Sequence, residues 1–174
     1  MVEHKVLNPA GRSGLYGTVH YRNLAIGMLP IDRQGHTFLV GQWRYPLGVY
    51  SWEMPEGGGP HGVEPLASAK RELAEETGLT ARSWAELMRL HLSNSVSDEL
   101  AILFLAWDLE AGEADPEEDE ELALARVPFG ALLARVVAGE ITDAMTVAAA
   151  LRVAHDARTG RLPPPVADAL RGQI

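Results

Sequence analysis

The strongest chemical signal in the sequence is a cluster of three glutamates in the segment Arg71-Glu72-Leu73-Ala74-Glu75-Glu76. An α-helix has about 3.6 residues per turn, so Glu72 and Glu76 would lie one turn apart on one face, with Glu75 beside them. Like charges at this spacing destabilise a helix unless a cation lies among them. Because Mg²⁺ prefers oxygen ligands, often carboxylates together with substrate phosphates, the cluster predicts a cation-binding helix. The alternative is a solvated charged face.

The residues around this cluster predict how the helix is held in place. Leu66, Ala69 and Leu73 repeat at the spacing of a buried stripe, so another face of the helix is expected to pack against a core. Residues 57–59 are three consecutive glycines. We interpret them as a loop whose backbone can approach a ligand or metal closely. Thr77-Gly78 ends the predicted helix.

Spaced residues across this stretch resemble the Nudix box, G-x5-E-x7-R-E-U-x-E-E-x-G-U, and thereby the Nudix hydrolase family. The matching residues are Gly57, Arg71, Glu72, Leu73, Glu75, Glu76, Gly78 and Leu79. One position departs from the box, because Val63 stands where the family has glutamate and Glu64 follows one residue late. In the family that first glutamate is mainly structural or an accessory ligand, so the helix carboxylates are expected to keep their role.

Size and charge narrow the class of protein. With 174 residues the chain is long enough for one well-packed domain. A net charge of -9 argues against a nucleic-acid or anionic-membrane partner, although a bound metal can reverse the local sign for a small anionic substrate. No apolar run approaches the length of a membrane span. The absence of cysteine excludes disulfides and thiol catalysis and fits the cytoplasm, where we expect the protein to reside.

Strand and helix patterns predict an α/β protein, an α/β/α sandwich with a mixed β-sheet and an N-terminal β-hairpin. The resemblance implies that this sandwich is the Nudix fold. We expect the hairpin at residues 1–22, the Nudix hydrolase domain at 23–160 and a loosely docked tail at 161–174. Predicted strands after the hairpin cover residues 23–30, 37–41, 49–54, 84–92, 100–109 and 122–127, with residues 42–46 in a loop. The acidic stretch 111–121 is expected to be a solvated loop.

Two helices are predicted near the C-terminus. The first continues through residues 131–137 after Pro128. The second covers residues 143–158, with Thr142 as its cap. Its predicted packing stripe consists of Ala144, Val147, Ala148 and Leu151.

The metal ligands expected from the acidic helix and the resemblance are Glu72 and Glu76, with Glu75 third. The main-chain carbonyl of Glu56 falls where related enzymes use a loop carbonyl as a further ligand. Arg71 precedes Glu75 by four residues and is expected to orient its carboxylate. The implied cofactor is Mg²⁺, with Mn²⁺ as a possible substitute.

The resemblance leaves two candidates for the general base, Glu99 and Glu53. Ser97-Asp98-Glu99 is similar to a segment from which family members that act on ADP-ribose and nucleotide sugars take a glutamate, so Glu99 is the favoured base or an additional metal ligand. Glu53, in a Trp-Glu-Met-Pro segment that also resembles the family, is the alternative. The competing interpretation of Glu53 is a strand residue paired with Arg44.

Substrate contacts are predicted in residues 40–46, Val-Gly-Gln-Trp-Arg-Tyr-Pro, which resemble a segment that sugar-nucleotide Nudix enzymes place beside the phosphates. The guanidinium of Arg44 suits paired phosphate oxygens. Trp43, Tyr45 and Trp52 could stack on a base or ribose, or they could be packing residues.

The resemblance implies hydrolysis of ADP-ribose or a related nucleoside diphosphate sugar to a nucleoside monophosphate and a sugar phosphate. Many ADP-ribose hydrolases carry a proline a short distance after the box. This chain lacks that proline, because Ser93-Asn94-Ser95 occupies the corresponding positions. Two alternatives remain: a nucleoside triphosphate pyrophosphohydrolase, and a catalytically silent Nudix-fold binding protein. The resemblance also implies a homodimer in which the N-terminal hairpin takes part.

Overall fold

The computed structural model describes residues 1–112 and 122–174. Most of the acidic stretch that was predicted to be a solvated loop, residues 113–121, lies outside the described residues. The described elements in chain order are β1 (Val2–Leu7), β2 (Ser13–Thr18), β3 (Asn23–Pro30), β4 (His36–Arg44), β5 (Val49–Glu53), β6 (Glu56–Pro60), α1 (Pro65–Thr77), β7 (Leu79–His91), β8 (Leu100–Ala111), β9 (Ala123–Pro128), α2 (Phe129–Val137), α3 (Ala144–Thr159) and α4 (Pro164–Ala169).

The described strands form a separate hairpin and two sheets. β1 and β2 pair as the predicted antiparallel hairpin. The four-stranded sheet has the order β6-β3-β8-β7 and is mixed, because β3 and β8 run parallel while the other pairs are antiparallel. The second sheet, β5-β4-β9, is antiparallel throughout. The predicted α/β class with a mixed sheet and an N-terminal hairpin is confirmed.

Alternating side chains of the central strands divide the core in two. On β8, Ile102 and Phe104 face the cluster that contains Ala69 and Leu73 of α1. The intervening residue Leu103 faces the larger cluster, which also takes side chains from the second sheet and from α2, α3 and α4. The alternation follows from the two-residue period of a strand, and it places helices on both faces of the mixed sheet. Among the described helices, none has the length and apolar character needed to cross a membrane.

α1 forms where its acidic sequence predicted a helix. Glu64 caps the N-terminus, and its side chain accepts a hydrogen bond from the Ala67 amide at 3.2 Å. Gly78 ends the helix in the left-handed conformation, with φ of 67°, which glycine adopts without steric cost. Ala69 and Leu73 are fully buried, so the predicted packing stripe is confirmed. Glu64, which stands one residue after the position where the box has glutamate, therefore has a structural role as the N-terminal cap of α1.

Two segments that were predicted to be loops are strands. The three glycines at residues 57–59 belong to β6, which pairs antiparallel with β3 through Ile26↔Gly57 and its neighbours. Residues 42–44 belong to β4, because Gln42 and Arg44 pair with residues of β5. In β6, ladder hydrogen bonds to β3, a strand distant in the sequence, stabilise an extended backbone that glycine does not favour. In β4, the partner of residues 42–44 is the next strand, β5.

The second C-terminal helix was predicted at the right place, but its cap was predicted wrongly and its packing face only in part correctly. Asp143, rather than Thr142, caps α3 and accepts a hydrogen bond from the Thr146 amide at 2.7 Å. Ala144 is exposed and Leu151 is 47% exposed, so the predicted packing stripe is wrong at both its ends, whereas Val147 and Ala148 are partly buried against the larger core cluster. The buried stripe lies one to two positions further along the chain and consists of Met145, Ala149, Ala150, Val153 and Ala154.

The prediction of a loosely docked tail is wrong for the described C-terminal residues. Leu162, Val166 and Leu170 are at most 8% exposed and belong to the larger core cluster. The side chain of Gln173 also accepts a hydrogen bond from the Gly130 amide at 3.1 Å. The prolines at residues 163–165 begin a short helix, α4, because proline suits the first turn of a helix as well as a loop.

Candidate active site

The backbone of β6 brings two α1 carboxylates to one place. A Cβ atom on Gly57 would lie closer than 3.0 Å to the carboxylate atoms of Glu72, so this close approach requires glycine. One residue earlier, the amide of Glu56 donates a hydrogen bond to Oε2 of Glu76 at 3.0 Å. Glu72 and Glu76 therefore both face β6, as their spacing of four residues predicts for one side of a helix.

Arg71 links the third carboxylate of α1, that of Glu75, to Glu72. Its guanidinium donates to Oε2 of Glu75 and to Oε1 of Glu72, both at 2.6 Å, and to the carbonyl oxygen of Gly58 at 2.9 Å. This geometry agrees with the expectation that Arg71 orients Glu75. Burial raises the pKa of Glu72 above its ordinary value, although the adjacent Arg71 charge opposes the shift.

A second ion-pair cluster lies around Arg44. Its guanidinium donates to both carboxylate oxygens of Glu53 and, at 2.8 Å, to Oε1 of Glu56. Glu53 is 3% exposed and paired, which is the alternative interpretation that its sequence left open. Burial raises the pKa of Glu56 well above its ordinary value, and the charges of Asp143 and Glu53 add to the shift. Among the described residues, Oε2 of Glu56 is buried without a hydrogen-bond partner.

A cavity of about 310 Å³ adjoins both clusters. Arg44, Glu56, Gly57 and Gly58 form part of its wall, and Glu99 contributes from the loop between β7 and β8. Burial raises the pKa of Glu99 above its ordinary value. The cavity thus brings two of the predicted site acids to one opening, beside the backbone that contacts Glu72.

The three predicted stacking aromatics lie elsewhere. Among the described residues that line the cavity, Trp43, Tyr45 and Trp52 are absent. Trp43 and Tyr45 are 59% and 88% exposed. Trp52 packs against the core and meets Tyr50 edge to face, with ring centroids 5.8 Å apart. The packing interpretation therefore describes Trp52, and the other two belong to an exposed surface.

Three polar residues of the cavity wall were not singled out from the sequence: Tyr21, Asn23 and Asp143. Asp143 is held in place as the cap of α3, and its carboxylate also accepts a hydrogen bond from the Thr146 hydroxyl at 2.7 Å. Its position at the start of the predicted helix 143–158 was the available signal. Tyr21 and Asn23 carry no local signal, because only the fold brings the end of the hairpin to this opening.

The donor set of α1 and β6 fits a hard divalent cation. It consists of carboxylate and carbonyl oxygens, the type of ligand that Mg²⁺ prefers. Gly57 leaves room for the Glu72 carboxylate, and the buried Oε2 of Glu56 lacks a partner among the described residues. No three acidic, histidine or cysteine side chains in residues 1–112 and 122–174 form a ready-made metal site. Instead, Arg71 holds the carboxylates of Glu72 and Glu75.

The fold and this arrangement of acids define the class of protein: the chain belongs to the Nudix family, whose NUDIX domain model matches residues 21–152. Over 139 residues it is 33% identical to an ADP-ribose pyrophosphatase of Mycobacterium tuberculosis, covering 78% of this chain and 67% of the relative. Over 124 residues it is 35% identical to an ADP-ribose pyrophosphatase of Bacillus subtilis, covering 70% and 67%. The predicted resemblance to Nudix pyrophosphatases of the ADP-ribose type is confirmed.

A solved structure extends the comparison to the fold. The crystal structure of an ADP compounds hydrolase superposes with a TM-score of 0.79 and covers 93% of this chain and 95% of that chain. The two chains are 20% identical, so this similarity concerns the fold alone.

Proposed function

We propose that this protein hydrolyses the diphosphate of ADP-ribose or a related nucleoside diphosphate sugar, releasing a nucleoside monophosphate and a sugar phosphate. The observation that carries the proposal is the close contact of Glu72 with Gly57, at the wall of a cavity that also contains Glu56 and Glu99. The two relatives that are ADP-ribose pyrophosphatases support this substrate class.

The proposed cofactor is Mg²⁺, with Mn²⁺ as a substitute. Glu72 and Glu76 would hold it, with Glu75 and the main-chain carbonyl of Glu56 as further ligands. A bound divalent cation supplies charge neutralisation for the diphosphate and lowers the pKa of water. The task of Arg71 is to fix the directions of Glu72 and Glu75, through its contacts with both carboxylates and with Gly58.

Glu99 is the group we propose as general base. It lies on the cavity wall, and its side chain has no hydrogen-bond partner within residues 1–112 and 122–174, so it can accept a proton from a water molecule there. Glu53 is less suited to this role, because it is buried and its two oxygens accept hydrogen bonds from Arg44. We propose that Arg44 contacts substrate phosphates at the cavity while it keeps Glu53 and Glu56 in place.

Magnesium-dependent turnover of a nucleotide-sugar panel, with product identification, tests the proposal. ADP-ribose is expected to yield AMP and ribose 5-phosphate. Glu72→Gln and Glu76→Gln are each expected to lower kcat/KM by about a hundredfold or more, because each removes a charged ligand. Glu86→Gln, on the exposed surface of β7, is the matched control and is expected to keep wild-type turnover.

Three results would contradict the proposal. Release of pyrophosphate from nucleoside triphosphates, without cleavage of nucleotide sugars, would favour the triphosphate pyrophosphohydrolase. Binding of ADP-ribose without turnover in Mg²⁺ or Mn²⁺ would favour the silent binding protein. Unchanged turnover in both glutamine variants would remove the cation site from α1.

We also propose that the hairpin β1–β2 takes part in a homodimer. Leu7 and Leu15 are 71% and 64% exposed there, and Tyr16 is 47% exposed. A two-stranded hairpin with exposed apolar side chains is marginally stable unless another surface covers it. Light scattering is expected to give the mass of two chains, and a monomer mass would refute this part of the proposal. The cytoplasmic location stays a prediction.

A further inference from the structure

The segment that joins the hairpin to the body, residues 18–21, lies directly against the loop that carries Glu99. The Val19 amide donates to the carbonyl oxygen of Val96 at 2.7 Å, and the Asp98 amide donates to the carbonyl oxygen of Val19 at 3.4 Å. Val19 and Ser97 form an isolated parallel bridge. The hydroxyl of Tyr16 also donates to the Ser95 carbonyl oxygen. We call the contacts that Tyr16 and residues 18–21 make with residues 95–98 the clamp.

Asp98 is the side chain at the centre of the clamp. Its Oδ1 accepts a hydrogen bond from the Tyr21 amide at 3.0 Å, and its Oδ2 lies 2.7 Å from Nδ1 of His20. A carboxylate only accepts, so Nδ1 of His20 carries the proton. In neutral His20, Nε2 then accepts from the Thr18 hydroxyl at 3.1 Å. The Thr18 oxygen in turn accepts from Nε2 of His4 at 2.8 Å, so the chain of contacts extends into β1.

Asp98 is connected to two residues of the cavity wall. Tyr21, whose amide Asp98 holds, and Glu99, the next residue in the chain, line the same wall. The Glu99 carboxylate has no hydrogen-bond partner of its own in the part of the chain that the structure describes. Its main chain is held through a hydrogen bond from the Leu92 amide to the Glu99 carbonyl oxygen at 3.0 Å. The direction of the Glu99 side chain therefore depends on its backbone, and that backbone is tied to Asp98.

We infer that Asp98 is a positioning residue: by holding His20 and the Tyr21 amide, it orients Glu99 towards the substrate cavity and couples the hairpin to turnover. This inference rests on the proposed function, because it takes Glu99 as the reacting base. Catalytic geometry is sensitive to displacements of about 1 Å, which can cost about a hundredfold in rate.

The clamp contributes little to global stability, and this separates its role from a structural one. The side chains of His20 and Asp98 are 53% and 54% exposed, and ion pairs at such exposure contribute little to stability because water and salt screen them. Loss of the Asp98 side chain is therefore expected to leave the unfolding temperature within about 3 °C of wild type. The same change is expected to lower kcat about tenfold with KM within about twofold, since the base acts in the chemical step.

The test compares Asp98→Ala with Asp98→Asn in the full-length protein. Asparagine retains an oxygen that can accept from the Tyr21 amide, so we expect it to restore kcat to within about threefold of wild type. Glu86→Gln, which breaks the similarly exposed ion pair with Arg89, is the matched control and is expected to change neither kcat nor unfolding temperature. Hydrogen exchange of the Val19 and Tyr21 amides can be measured without substrate. We expect exchange to be faster than in wild type for Asp98→Ala and unchanged for Asp98→Asn and Glu86→Gln.

The outcomes distinguish this inference from the proposed function. An Asp98→Ala variant with wild-type kcat, measured beside a Glu99→Gln variant that has lost activity, overturns the positioning role and leaves the function standing. Equal losses in the alanine and asparagine variants also overturn it. Wild-type protein without turnover of any nucleotide sugar refutes the proposed function and the positioning role with it. Unchanged amide exchange in Asp98→Ala overturns the positioning role and leaves the proposed function standing.

Discussion

The contact between Gly57 and Glu72 makes the sharpest prediction. In Gly57→Ala the new Cβ would lie closer than 3.0 Å to three atoms of the Glu72 carboxylate, whereas non-bonded carbon atoms are optimally about 3.5–4.0 Å apart. The end of a flexible side chain gives way more easily than the β6 backbone, so the carboxylate is expected to retreat by about 1 Å or more. A displacement of that size at a catalytic centre costs about a hundredfold in rate.

Stability is expected to respond much less to this substitution than turnover. Gly57 does not have a positive φ, so alanine fits its backbone. The reduced freedom of the unfolded chain favours alanine by about 0.4–1 kcal/mol and offsets part of the steric cost. We therefore expect the free energy of unfolding in urea to stay within about 1 kcal/mol of wild type.

The assay is magnesium-dependent hydrolysis of ADP-ribose, with kcat and the concentration of Mg²⁺ at half-saturation measured for each variant. Gly17→Ala is the matched control, because Gly17 is also a strand glycine without a positive φ and a Cβ there would have no neighbour within 4 Å. A Gly57→Ala variant with the kcat and the Mg²⁺ half-saturation of wild type would refute the argument that Glu72 must lie against β6.

Three further predictions concern the free energy of unfolding in urea. Thr146→Val is expected to lower it by about 1–3 kcal/mol, because the buried Met54 amide loses its acceptor; equal stability would contradict this. Leu170→Ala is expected to cost about 2–4 kcal/mol, since this C-terminal side chain is 2% exposed; a change below about 1 kcal/mol would indicate a loosely docked tail. Burial alone raises the pKa of Asp32, but hydrogen bonds from two backbone amides and from Arg126 outweigh it and hold the pKa below its ordinary value. Its ionised form therefore stabilises the fold above about pH 4, and this stability is lost as the pH falls through the lowered pKa. Asp32→Asn is expected to be about 0.5–1 kcal/mol less stable at pH 7, with a difference that disappears in acid; a difference independent of pH would refute the ionic contribution.

Much of the acidic helix could be predicted from its own residues. The spacing of Glu72 and Glu76, the stripe through Leu73 and the glycine after Thr77 are local properties, and α1 begins and ends close to where they place it. The central strand at residues 23–30 was also predicted with its bounds, because its apolar residues are continuous and a turn follows. Contacts within a few residues of the chain carry these features.

Several features of the site depend on residues far apart in the sequence. The glycines of β6 have low strand propensity and form a strand because β3 supplies their ladder partners. The contact of Arg44 with substrate phosphates stays a prediction from the resemblance, and its pair with Glu53 was one interpretation of the sequence, but its second ion pair, with Glu56, was not predicted. The packing face of α3 was predicted one to two positions too early, because the surface it packs against, rather than its own composition, selects the buried side.

The sequence by itself determined the family and the placement of Glu72 and Glu76 on one side of α1, because helix periodicity converts a spacing of four residues into a shared face. Only the tertiary structure decided that Glu72 lies against Gly57, that Asp143 and Tyr21 share a cavity with Glu99, and that Asp98 joins the hairpin to the loop beside it. The physical reason is that these contacts join segments of chain separated by many residues, and their geometry follows from strand pairing and core packing rather than from any local pattern.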